Sequence, residues 1–137
     1  MRVLITGASG LLGANLARHH SRNFECFGWY ATNAVSINGV TMEHIDLTDH
    51  DSVTSALDRI HPDMIVHCAA ATNVEWCEKN PELAKTINED STLLLAEKAV
   101  DLGAKFVFTS TDSVFDGKTG NYPISDVPDP LNAYAAG

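Results

Sequence analysis

The sequence predicts an α/β domain, a doubly wound parallel sheet with helices on both faces, and three observations predict it. Short apolar, β-branched runs recur along the chain, and segments with apolar residues at helical spacing lie between them. The first run passes into a helix through the glycine-rich turn Gly7-Ala8-Ser9-Gly10-Leu11-Leu12-Gly13. Strands that alternate with helices join by right-handed crossovers into an open parallel sheet. A length of 137 residues amounts to one domain with a real core.

Taken in order, Arg2 to Thr6 reads as a buried parallel strand, and Leu11 to Ser21 as a helix with Leu12, Leu16 and Ala17 on one face. Phe24 to Tyr30 is a second strand. Val40 to Ile45 is a weaker third, ending in Asp46-Leu47-Thr48-Asp49. Asp49 is the expected N-cap of a helix from Asp51 to Ile60, whose residues Val53, Ala56, Leu57 and Ile60 share a face, and Pro62 stops it. Met64 to Ala71 is the fourth strand, followed by a polar loop containing Trp76 and Cys77. The longest helix is expected from Pro81 to Leu102, with Leu83, Ile87, Leu94, Leu95 and Ala99 along one side and Gly103 as C-cap. Lys105 to Thr109 is the last strand. Beyond Phe115, Gly, Pro and Asp predict an ordered surface loop without further strands.

Composition excludes several classes of function. The formal charge is −9, with basic residues scattered singly, so neither nucleic acid nor an anionic membrane is an expected partner. Cys26, Cys68 and Cys77 are odd in number and form no Cys-x-x-Cys pair, which points to a reducing, cytoplasmic setting. The start of the chain has no secretory pattern, and no apolar stretch approaches the roughly 18 residues of a membrane span. His19, His20, His44, His50, His61 and His67 fall into no metal-ligand spacing, so no metal site is expected.

Each glycine of the turn has a physical role. Gly7 permits the tight bend, Gly10 lets a pyrophosphate approach the backbone, and Gly13 lets the helix lie close. The helix start adds a partial positive charge and free N–H groups, expected from Gly10 to Leu12. A strand-turn-helix-strand context makes this a Rossmann-type dinucleotide site, taking NADP or NAD. Gly28-Trp29-Tyr30, at the end of the second strand, supplies neither an acid for an NAD ribose nor an arginine for a 2′-phosphate, which leaves the preference open.

The spacing Thr6-Gly7-x-x-Gly10-x-x-Gly13 resembles the extended short-chain dehydrogenase/reductase superfamily. So do the acidic turn at Asp46, the alanine-rich His67-Cys68-Ala69-Ala70-Ala71 and Asn88 in the long helix. The resemblance implies a cofactor site made of Gly7, Ser9, Gly10, Leu11, Leu12, Gly13, Trp29, Asp46, Leu47, Ala69, Ala70, Ala71, Asn88 and Thr109. More specific is Thr109-Ser110-Thr111-Asp112-Ser113-Val114-Phe115-Asp116-Gly117, with Pro128 to Tyr134 after it. These frames resemble the dTDP-4-dehydrorhamnose reductase family across essentially the whole chain.

That resemblance implies a nucleotide-sugar ketone as substrate and Thr111 and Tyr134 as catalytic residues. Thr111 would bond the carbonyl oxygen while Tyr134 donates the proton. Tyrosine ordinarily titrates near pH ~10, so the family's lysine, four residues after the tyrosine in Tyr-x-x-x-Lys, is needed to activate it. The sequence reaches Gly137 just before that position, and relatives hold substrate mainly with later residues. The expectation is therefore a cofactor-binding domain over residues 1–137 that lacks the substrate-binding portion and turns over poorly. An unpaired sheet edge after the last strand would invite self-association and leaves room for a homo-oligomer. Ile124 stands where relatives carry a glutamate, and Asp112 and Asp116 are expected to cap the loop rather than act as an acid pair. The same motifs also resemble the non-catalytic regulatory subunit of methionine adenosyltransferase, which implies an alternative role as a nucleotide-binding partner of an enzyme.

Overall fold

A computed structural model describes all of residues 1–137. Five parallel strands, β1 (Arg2–Thr6), β2 (Glu25–Tyr30), β3 (Val40–His44), β4 (Met64–His67) and β5 (Lys105–Phe108), form one sheet in the order β3-β2-β1-β4-β5. β1 lies at the centre, with Val3 opposite Cys26 of β2 and Met64 of β4. The order reverses direction at β1, so β1 and β4 part above a crevice at their carboxyl ends, where such folds bind ligands.

Alternation along β1 divides the core into two. Leu4 points to the face covered by α2 (His50–Ile60) and α5 (Ser91–Leu102), where it joins Trp29, Val53, Leu57, Ile60, Ile65 and Leu95. Val3 and Ile5 point to the other face, packing with Ala17 of α1 (Leu11–His20), Cys26 and Val66. Asp49 caps α2 as expected, its carboxylate accepting from the Ser52 N–H at 3.1 Å, and His61 closes that helix in the left-handed region before Pro62. No helix is long and apolar enough to cross a membrane.

Three expectations need correction. β4 stops at His67 rather than Ala71, because the backbone there leaves the ladder: Cys68 and Ala69 donate to the Thr6 hydroxyl, and Ala71 is held by Asn88. The loop before Pro81 contains a helix, α3 (Val74–Lys79), started by the Asn73 side chain, which accepts from the Trp76 N–H, and Cys77 is fully buried in it. The single long helix is instead α4 (Pro81–Lys85), a π-helical turn over Thr86–Asp90, and α5. The wider turn shifts the buried face to Ala84, Asn88, Ser91, Leu95 and Ala99, and leaves Leu83 exposed. After β5 come a 3₁₀ turn at Asp112–Val114, the expected strandless loop and a short helix α6 (Ala133–Ala136).

Candidate functional site

A groove of about 570 Å³ opens over the carboxyl ends of β1, β2 and β4. It gathers most of the residues predicted for the cofactor: Gly7, Ser9, Gly10, Leu11, Leu12, Gly13, Trp29, Asp46, Leu47, Ala69, Ala70 and Ala71. The turn at its head is tight for a definable reason. Gly7 has φ +64, and a Cβ there would lie 2.8 Å from the Ala69 nitrogen. A Cβ on Gly13 would lie 2.3 Å from the Gly7 carbonyl oxygen, so α1 rests on the turn itself.

The Gly10 N–H is not free, because it donates to Gly7 at 2.9 Å. The open donors move one residue on. Leu11, Leu12 and Gly13 have no carbonyl partner, and Gly10 supplies no side-chain cap. Three N–H groups at a positive helix end, beneath a turn with no side chains in the way, form a fitting cradle for a pyrophosphate.

Beneath the groove runs a buried polar chain that sequence reasoning missed. Thr6 Oγ1 accepts from the Cys68 and Ala69 N–H groups, so its own proton goes to His67 Nδ1 at 2.6 Å. His67 Nε2 then carries the hydrogen and donates at 3.0 Å to Thr92 Oγ1, which donates onward to the Asn88 carbonyl. Phe106 and Phe108 flank the imidazole with nearly parallel rings, and burial lowers its pKa to about 4. Asn88 is predicted to face the cofactor; its side chain both accepts from the Ala71 N–H at 2.8 Å and donates to the Ala71 carbonyl at 3.2 Å. It therefore holds the alanine segment against the helix, and the π-helical turn gives it that aim.

A second, smaller cavity of about 80 Å³ brings together Thr109, Thr111, Tyr134 and Asn88. It shares Ala69 and Ala70 with the groove. The Thr111 hydroxyl caps the 3₁₀ turn, accepting from the Ser113 N–H at 3.2 Å, and directs its own proton to Asp112 Oδ1 across a long 3.5 Å. Tyr134 is placed by α6, which Asn132 starts by accepting from the Ala135 N–H at 2.9 Å. Asp116 is a loop brace: it accepts from Tyr122 Oη at 2.6 Å and from Lys118 Nζ at 2.8 Å, and these partners hold its carboxyl far below the usual range. Ile124 is wholly exposed, and no three His, Cys, Asp or Glu side chains converge as a metal site.

Thr6, Tyr30, Ala31, Thr32, Ile45, Cys68, Thr72 and Ile87 also line the groove without having been assigned to the cofactor. Most have no chemical signature of their own. Trp29 is buried at 1% exposure, and its indole N–H has no partner.

Comparison with known proteins bears on this arrangement. The family model described as RmlD substrate binding domain matches residues 1–137. Methionine adenosyltransferase 2 subunit beta from Bos taurus is 36% identical over 134 residues, 97% of this chain and 39% of that protein. A hypothetical dTDP-4-dehydrorhamnose reductase from Sulfolobus tokodaii superposes with a TM-score of 0.91 at 38% identity, covering 99% of this chain and 48% of that one. The dTDP-4-dehydrorhamnose reductase of Bacillus anthracis, crystallised with NADP, gives a TM-score of 0.82 at 32% identity over 98% of this chain and 45% of that one. The chain thus spans between about two fifths and half of the length of these relatives.

Proposed function

Because this chain belongs to the RmlD substrate binding domain family, we propose that it is the cofactor-holding part of an NAD(P)H-dependent reductase acting on a nucleotide-linked 4-keto-6-deoxysugar. The observation that carries this reading is the shared wall. Ala69 and Ala70 border both the dinucleotide groove and the cavity of Thr111 and Tyr134, which supports a cofactor in the first serving chemistry at the second.

The bound dinucleotide would supply the hydride. The protein's part is to hold and to protonate. The N–H groups of Leu11, Leu12 and Gly13 take the pyrophosphate, and the alanine segment, fixed by Asn88 and Thr6, supplies a close-fitting floor. Thr111 donates to the sugar carbonyl oxygen, and Tyr134 delivers the proton that the reduced oxygen requires. Of the family's catalytic set these 137 residues carry Thr111 and Tyr134 but not the lysine. This span by itself is therefore expected to bind dinucleotide and turn over slowly.

A titration of the 137-residue chain with NADH or NADPH tests the reading. A saturable 1:1 isotherm is expected, and the absence of binding to either would overturn it. Loss of 340 nm absorbance on adding the keto-sugar should be barely detectable; turnover at an ordinary enzymatic rate, about 1 s⁻¹ or more, would refute the slow-turnover part.

A second reading is favoured by the 36% identity to methionine adenosyltransferase 2 subunit beta. On that reading the groove holds nucleotide as a structural element and the chain attaches to an enzyme subunit. Stable co-purification with a methionine adenosyltransferase catalytic subunit would favour it over the reductase.

A further inference from the structure

The adenosine end of the groove carries information beyond the presence of a dinucleotide. In sites of this architecture the wall at the end of the second strand meets the adenosine ribose, and its charge decides between a 2′-hydroxyl and a 2′-phosphate. Here that wall is Tyr30, Ala31 and Thr32, with Asp46 beyond the end of the neighbouring strand, where the Ile45 N–H donates to the Tyr30 carbonyl. Of the twenty residues that line the groove, Asp46 alone is charged, and its charge is negative.

No basic side chain lines the groove. Arg59 is paired with Glu43 at 2.5 Å, and neither lines the groove. His44 lies outside the lining as well, edge-on to Tyr30 with ring centroids 5.7 Å apart. Asp46 stays ionised, because the backbone and hydroxyl of Thr48 both donate to its Oδ1, at 2.9 and 2.8 Å, and hold its carboxyl below the usual range. Its Oδ2 has no donor in the protein, so it is open to a ligand's hydroxyl or amine.

A 2′-phosphate brings up to two further negative charges. It would lose hydration at this wall and meet no guanidinium or ammonium in return, in a groove whose one charge is negative. A 2′-hydroxyl, in contrast, is neutral and carries neither cost.

We propose that this groove is an NAD(H) site that discriminates against NADP(H), with Tyr30, Ala31, Thr32 and Asp46 as the wall that makes the distinction. The proposal rests on the dinucleotide reading above and narrows it.

Isothermal titration of the 137-residue chain with NADH and with NADPH, at the same ionic strength of about 0.15 M so that screening is equal, tests it. NADH is expected to bind at least about tenfold more tightly. Equal affinities, or tighter NADPH, overturn this proposal and leave the dinucleotide reading standing, whereas failure of both to bind overturns the two together. A gain-of-function variant locates the wall: Ala31 is exposed, so A31R can place a guanidinium there without disturbing the core. It should shift the NADPH-to-NADH affinity ratio about tenfold toward NADPH, and T32R is the second placement. Unchanged ratios in both variants, with both cofactors still bound, would show that the wall lies elsewhere.

Discussion

His67 is a basic residue placed where it cannot readily accept a proton. Its Nδ1 already receives the Thr6 hydroxyl proton, its Nε2 hydrogen goes to Thr92, and it is 1% exposed. Burial lowers its pKa to about 4 from an ordinary 6.5. Between these values the unfolded chain binds a proton that the folded chain refuses, so acid favours unfolding. The contribution is flat above pH ~6.5. Below that, stability falls by up to about 1.4 kcal/mol per unit, on the order of 3 kcal/mol by pH ~4. Urea denaturation across that range should show the loss in the wild type and a shallower one in His67→Gln; parallel losses would mean that His67 is not responsible. Little of this was legible in the sequence. A Thr at a strand end has no local signature, and its partner lies 61 residues away. Thr111 and Tyr134 stood out because their neighbours form a distinctive frame, whereas Asn88, expected at the cofactor, turns its side chain to Ala71 and lies outside the groove lining.

Among the elements, the turn between β1 and α1 is the most constrained. Gly13 has no room for a methyl group, and the obstruction is backbone that cannot rotate aside. Gly13→Ala should therefore push α1 off the turn, costing about 1–3 kcal/mol by overpacking. The displaced N–H groups of Leu11 and Leu12 should also weaken dinucleotide binding. Paired denaturation and titration check both effects; an alanine variant with wild-type stability would contradict the close approach. The strands were readable as short apolar runs and α2 from its period and its cap, whereas α1 buries only Gly13 and Ala17 and leaves Leu12, read on the same face as Ala17, exposed. The interrupted long helix was not readable, since a π-helical turn adds a residue without changing composition. α3 was missed for a related reason: six residues are too few to display a period, although Asn73 ahead of them was an available start signal.

At the scale of the whole molecule, the sheet is well covered around β1 and thinly covered at β5. Val107 and Phe108 are about half exposed, and Val100 on the adjacent helix is 80% exposed. β5 is also an edge, with backbone donors and acceptors unpaired on one side. The 137-residue chain is accordingly expected to self-associate, with a light-scattering mass that rises with concentration; a monodisperse monomer with a high melting temperature would contradict this. The strand order has a further consequence in time rather than space. Of these five strands β1 is synthesised first, yet its β4 neighbour begins at Met64, and the alanine segment is not tied down until Asn88 has emerged. A nascent chain can form the β1–β2 pair early, but that half-sheet has only one wall of the groove. Such distant pairings delay folding, and during that delay no dinucleotide can assist. A ligand that recognises only the assembled crevice stabilises the assembled fold by mass action and leaves the chain unassisted until Asn88 has emerged.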